Sequence, residues 1–81
     1  EVIYIDHFGN AITGLRASAV RADQHLRVHN HILKPARTFS DAPVGQGFWY
    51  ENANGLVEIA VNQGHAAQRF GLKLGDRLVL K

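Results

Sequence analysis

The feature that most constrains this chain is the shortness of its apolar runs. Val2-Ile3-Tyr4-Ile5, Leu26-Arg27-Val28-His29, Ile32-Leu33, Gly47-Phe48-Trp49-Tyr50-Glu51, Leu56-Val57-Glu58-Ile59-Ala60-Val61 and Arg77-Leu78-Val79-Leu80 are each of strand length. Turn residues separate them: Gly9-Asn10, Asn30, the stretch 41–45, Asn54-Gly55 and Gly75-Asp76. Val2–Ile5 reads as a strand covered on both faces, and Leu26–His29 alternates with the period of a half-buried one. Leu56–Val61 also alternates, with Glu58 as its exposed exception. Asn54-Gly55 between two such runs predicts a hairpin with a type I′ turn. Helix is expected over Ala66–Phe70, started by Asn62 or Gly64 and stopped at Gly71, with one further short turn inside 15–22. Many short strands with regular turns predict a small sandwich or barrel.

Length narrows this further. With 81 residues there is one domain, spanning 1–81, and a thin core that profits from a partner. Glu1 opens directly into the first strand without an initiator Met, as expected of a portion of something longer. The absence of cysteine excludes disulfides and thiolate metal sites and fits a reducing cytoplasm. No apolar run approaches the roughly 20 residues of a membrane span, and no signal peptide is visible. The basic residues are spread evenly, for a net charge of only +2, so no phosphate-tracking patch for nucleic acid is predicted.

Two stretches carry candidate chemistry. In Ile5-Asp6-His7-Phe8-Gly9-Asn10 a strand delivers a carboxylate, a ring, a glycine and an amide within a few residues. Phe8 can stack on a base, Asn10 can pair with a purine edge, and Asp6 can accept from an amine or hydroxyl. The plain alternative is a turn in which Asp6 and Asn10 bond the local backbone. In the second stretch, 52–64, a hairpin ends in Asn62-Gln63-Gly64, which can set backbone groups against a ligand edge or merely cap a helix. His29 and His31 share a strand face, but no third ligand is identifiable, so no metal site is predicted.

Taken together, these segments resemble one family. Ile5-Asp6-His7-Phe8-Gly9-Asn10-Ala11-Ile12-Thr13 is similar to the I-D-x-F-G-N-x-x-T-N signature of the SAM hydroxide adenosyltransferases, a family that includes the SAM-dependent fluorinase and chlorinase. Thr38-Phe39-Ser40-Asp41-Ala42-Pro43-Val44-Gly45 resembles its T-[YF]-x-D-V-x-x-G segment. The stretch from Asn52 to Ala67 resembles its N-S-x-G-x-L-E-I-A-x-N-x-G-x-A-A segment, and Gly71-Leu72-Lys73-Leu74-Gly75-Asp76 fits its G-L-x-x-G-D.

The resemblance implies an all-β domain: a small closed or nearly closed antiparallel β-barrel with Greek-key-like connections and one short helix. It would be the C-terminal domain of a two-domain enzyme that hydrolyses S-adenosyl-L-methionine (SAM) to adenosine and L-methionine. It also implies a homotrimer whose active sites lie against the N-terminal domain of a neighbouring subunit, with SAM as substrate and no cofactor. Phe8 and Phe39 would then flank the adenine, with Asn10 and the Asn62-Gln63 backbone on its edge. Asp6 would meet the methionine ammonium, and the Ala53-Asn54 turn would lie near its carboxylate. The water-activating residues belong to the other domain, so no residue here is assigned catalysis. Ala53 stands where the family has Ser, Asn54 where the halogenases have Arg, Ile12 where they have an aromatic residue, and Gly14 where the signature ends in Asn. These departures argue against halogenation. Two rival readings are a barrel serving only trimer contacts and a PDZ-like peptide-binding module. The second rests on Ala66 to Val79, but the chain leaves no room for a second helix.

Overall fold

The computed structural model describes residues 1–37 and 41–81. Its strands are β1 (Val2–Ile5), β2 (Ala11–Arg16), β3 (Leu26–Val28), β4 (His31–Pro35), β5 (Gly47–Glu51), β6 (Leu56–Val61) and β7 (Leu78–Leu80). A 3-10 turn, Ala17–Ala19, follows β2, and a short helix, α1 (Ala66–Phe70), precedes β7. The seven strands form one curled sheet in the order β1-β2-β6-β5-β4-β3-β7. Because β6 inserts between β2 and β5, the chain makes Greek-key-like crossings. Neighbours run antiparallel except β4 and β5, which are parallel, with Lys34 opposite Phe48 and Pro35 opposite Trp49. The sheet curls into a half-barrel whose edges are drawn together where the Val2 amide donates to the Asp76 carbonyl and the Gly75 amide to the Val2 carbonyl, each at 2.8 Å. These bonds cover part of an edge that would otherwise invite pairing with another chain.

β6 is the axis of the domain. Val57, Ile59 and Val61 face the main core with Leu26, Leu33 and Trp49. Ala60 faces a second, smaller cluster with Phe48 and Ala42. Fully burying one such side chain contributes about 1.5–3 kcal/mol, so the two-sided cover of β6 is a large share of what a chain this short can gather. This cover also corrects the reading of Glu58, which is only 6% exposed.

Other local expectations change for identifiable reasons. β1 is not covered on both faces: Val2 is buried, but Ile3 and Tyr4 are about half exposed, because β1 is an edge strand with an irregular register to β2. Where a short helix was expected from Leu15, β2 continues to Arg16, held by β1 on one side and β6 on the other. The Thr13 hydroxyl reinforces this by donating to the Val57 carbonyl at 2.8 Å and accepting from the Leu15 amide. The 52–55 turn is not type I′, since Gly55 alone has positive φ (78°) and Asn54 does not. Asn52 shapes the turn: its Oδ1 accepts the amides of Asn54 (2.9 Å) and Leu56 (3.0 Å). The cap of α1 is His65, whose Nδ1 accepts from the Gln68 amide at 3.1 Å, and not Asn62 or Gly64. Gly71 closes the helix as expected, in the left-handed conformation.

Candidate ligand-binding site

The loop after β1 is folded by its own aspartate. Asp6 Oδ1 accepts the amides of Phe8 (2.9 Å) and Asn10 (3.0 Å), and the Asp6 amide donates to the Asn10 carbonyl (3.0 Å). The local-turn reading of Asp6 is therefore true of one carboxylate oxygen. This arrangement holds Phe8 at the tip, 73% exposed, and buries Asn10. Gly9 has φ of 83°, and a Cβ there would lie 2.2 Å from the His65 ring. Its carbonyl accepts the Ala67 amide at 2.9 Å. Only glycine allows both the backbone conformation and this contact, which docks the loop on the start of α1.

The same end of the domain gathers two more segments. The Asn62 side-chain amide donates to the Ala42 carbonyl at 2.6 Å. The Asn62 backbone accepts from the Gly45 amide (2.8 Å) and donates to the Gln46 carbonyl (3.3 Å). Arg69 Nη1 donates to the Gly45 carbonyl at 2.7 Å. Asn62 is thus committed to the 41–46 segment, whereas Gln63 is exposed, at φ of 57°. Phe39, the second ring expected on the adenine, lies outside the described residues.

Ala53 and Asn54 lie in the turn that precedes β6, at its other end. Between the two ends runs a row of cross-strand partners on one face: Tyr4 opposite Ile12, Ile12 opposite Glu58, and Glu58 opposite Tyr50. An open groove of about 530 Å³ lies over part of this row, lined by Ile12, Arg37, Tyr50, Ala53, Asn54 and Glu58 among others. Glu58 is held from two sides: the Tyr50 hydroxyl donates to Oε2 at 2.5 Å and the Asn52 amide to Oε1 at 3.1 Å. Burial, followed by Glu58, pushes the Tyr50 phenol well above its ordinary range, and the Asp6 charge adds to the rise.

Sequence reasoning missed Tyr50 and Glu58. The available signal was a carboxylate inside an otherwise continuous apolar run, since a strand covered on both faces buries every residue it carries. A second cavity of about 540 Å³, around Ala17, Val20, Pro35 and Trp49, shares Arg37, Tyr50 and Glu51 with the groove. Among the described residues no cluster of three metal-ligating side chains occurs. His29 instead pairs with Asp76 at 2.8 Å, and His31 stacks on Phe70.

With this geometry in view, the similarities to known proteins become specific. The (R)-S-adenosyl-L-methionine hydrolase of Salinispora arenicola is 41% identical over 81 residues, covering 96% of this chain and 30% of that protein. The hydrolase of the same name from Thermus thermophilus is 40% identical, covering 93% of this chain and 29% of that protein. The chain therefore spans just under a third of these curated relatives. A conserved hypothetical protein of Thermus thermophilus superposes with a TM-score of 0.90 at 39% identity, covering 100% of this chain and 34% of that one. An uncharacterized conserved protein of Thermotoga maritima gives 0.86 at 30% identity, covering 100% of this chain and 35% of that one. Residues 1–79 match the SAM hydroxide adenosyltransferase C-terminal domain, and the chain belongs to that family.

Proposed function

We propose that this chain is the adenosine-holding domain of an enzyme that hydrolyses S-adenosyl-L-methionine to adenosine and L-methionine. The observation that carries the reading is the convergence of segments 6–10, 41–46 and 62–65 at one end of β6, with Ala53 and Asn54 at the other end and a groove beside them. A ligand with a nucleoside at one end and an amino acid at the other matches that layout. Phe8, with Phe39, flanks the adenine, and Asn10 and Gln63 meet its edge. Asp6 faces the methionine ammonium, and the Ala53-Asn54 turn lies beside the carboxylate.

The chemistry asks little more of this domain than position. Water attacks the ribose C5′, the C5′–S bond breaks, and its electron pair returns to the sulfonium sulfur as the neutral thioether of methionine; the water's second proton leaves to solvent. The sulfonium is already a good leaving group, so no metal or other cofactor is needed. Holding the adenosine half still and excluding bulk water are the contributions of these residues. The groups that activate water belong, in this reading, to the N-terminal domain of a neighbouring subunit in a cytoplasmic homotrimer. Among the described residues no helix is long and apolar enough to cross a membrane.

The test uses the natural full-length protein that carries this sequence, incubated with SAM and followed by chromatography. Adenosine and methionine are expected in equal amounts, with turnover lost in Asn10→Ala or Phe39→Ala. A well-folded protein that forms no adenosine would overturn the reading in favour of a purely structural barrel.

A further inference from the structure

We propose that Glu58 is a positioning residue whose buried carboxylate, clamped between Tyr50 and Asn52, holds the 52–55 turn and with it Ala53 and Asn54 in the shape that receives the amino-acid end of the substrate. The inference rests on the functional reading above and adds a residue to it. Ala53 and Asn54 are exposed and extend beyond the strands that flank them. Their backbone is shaped by one side chain, Asn52, whose Oδ1 takes the Asn54 and Leu56 amides. An amide that spends its oxygen on the turn is oriented by its nitrogen, and Asn52 Nδ2 donates to Glu58 Oε1 at 3.1 Å. Glu58 in turn sits in the middle of β6, paired across the sheet with both Ile12 and Tyr50, and is only 6% exposed. A rigid, buried strand thus reaches an exposed turn through one charge-assisted bond. A buried carboxylate is costly to keep without bonded partners, and its bonds to Tyr50 and to Asn52 of the turn supply them.

The polarity of the bond supplies the test. Asn52→Asp keeps the oxygen that takes the Asn54 and Leu56 amides but sets a carboxylate against Glu58. Adding Glu58→Gln restores the bond in reverse: the new amide at position 58 donates to the new carboxylate at position 52, and its oxygen still accepts from Tyr50. In the natural full-length protein, Asn52→Asp is expected to raise KM for SAM about tenfold with kcat within about twofold, as loss of a hydrogen bond to a charged group implies. Product inhibition by adenosine, which binds at the other end of β6, should be unchanged. The double variant is expected to return KM to within about threefold of the wild type. Hydrogen exchange at the Asn54 and Leu56 amides should quicken in the single variant and recover in the double. A double variant as impaired as Asn52→Asp, or a single variant with unchanged exchange, overturns the inference. If the wild type turns over no SAM, the functional reading fails by itself and the exchange arm alone decides the positioning role. Should Asn52→Asp not fold, Tyr50→Phe removes one atom of the same clamp and is expected to raise KM about threefold; no change in KM overturns the inference.

Discussion

Adding one methyl group at Gly9 tests how the first loop is built. In Gly9→Ala the new Cβ would fall 2.2 Å from His65 Cγ and 2.3 Å from Nδ1, far inside contact distance. The ring must leave. When it leaves, α1 loses its cap, because His65 Nδ1 is the atom that accepts the Gln68 amide. Losing a side-chain cap costs about 0.5–2 kcal/mol. Placing Ala at φ of 83° costs about 1–2 kcal/mol more. The expected loss is about 2–4 kcal/mol. For a domain of 81 residues, that lowers Tm by roughly 10–25 °C. Thermal unfolding by circular dichroism reads the total, and a cycle with His65→Ala reads the mechanism. Removing the ring relieves the clash and loses the cap once, so the double variant should fall short of the sum of the singles by about 1 kcal/mol or more. A Gly9→Ala drop of under about 3 °C, or additive singles, would refute the account of the loop as wedged against the helix cap.

Two further outcomes follow from buried and paired groups. Trp49 is nearly inaccessible and its Nε1 donates to the Gln24 carbonyl at 2.7 Å, so Trp49→Phe leaves that carbonyl unpaired and should cost about 1–3 kcal/mol, read as a lower urea midpoint at unchanged m; an unshifted midpoint would count against it. The Asp76 carboxyl is held below its ordinary range, first by the His29 ring and then by the Lys73 amide. A lowered folded value contributes stability above the ordinary aspartate pKa that is lost as pH falls through the lowered one. Acid titration of stability should therefore be flatter across that window in Asp76→Asn than in the wild type, and equal slopes would refute the pairing as a stabilising contact.

What the sequence disclosed depended on whether neighbours in the chain or neighbours in space decide. β5, β6 and α1 have the bounds expected of them, because aromatic or β-branched runs and an Ala-rich run ended by Gly71 carry their own signals. β2 was not visible. Leu15 to Ala22 contains good helix formers, yet β1 and β6 offer hydrogen bonds on both sides of Ala11–Arg16, and pairing across the sheet overrides local preference. The parallel contact of β4 with β5 has no local signature at all. Asn54-Gly55 did mark a turn, but its type was set by Asn52, two residues earlier. Within the site, the ends were legible as motifs and the middle was not. Tyr50 was legible only as part of a strand, and Glu58 read as exposed because alternation cannot show that the outer face of β6 is also covered.

The placement of the departures from the family pattern is itself informative. Gly9 and Asn62 match that pattern, and both hold the fold: one packs on the helix cap, and the other anchors the 41–46 segment through its side chain. Their presence would follow from the architecture even without a ligand. Ala53 departs from it and Asn54 departs from the halogenases, and both occupy an exposed turn whose shape is set by the Asn52 side chain. Ala for Ser at 53 or Asn for Arg at 54 therefore changes what the turn offers to a ligand while leaving the strands it joins untouched. In the function proposed above, the nucleoside end of the site is built into the barrel, whereas the amino-acid end is an exposed turn carried on Glu58 and Asn52. On that reading, substitutions at 53 and 54 alter the amino-acid end at little cost in stability, whereas substitutions at Gly9 or Asn62 disturb the fold itself.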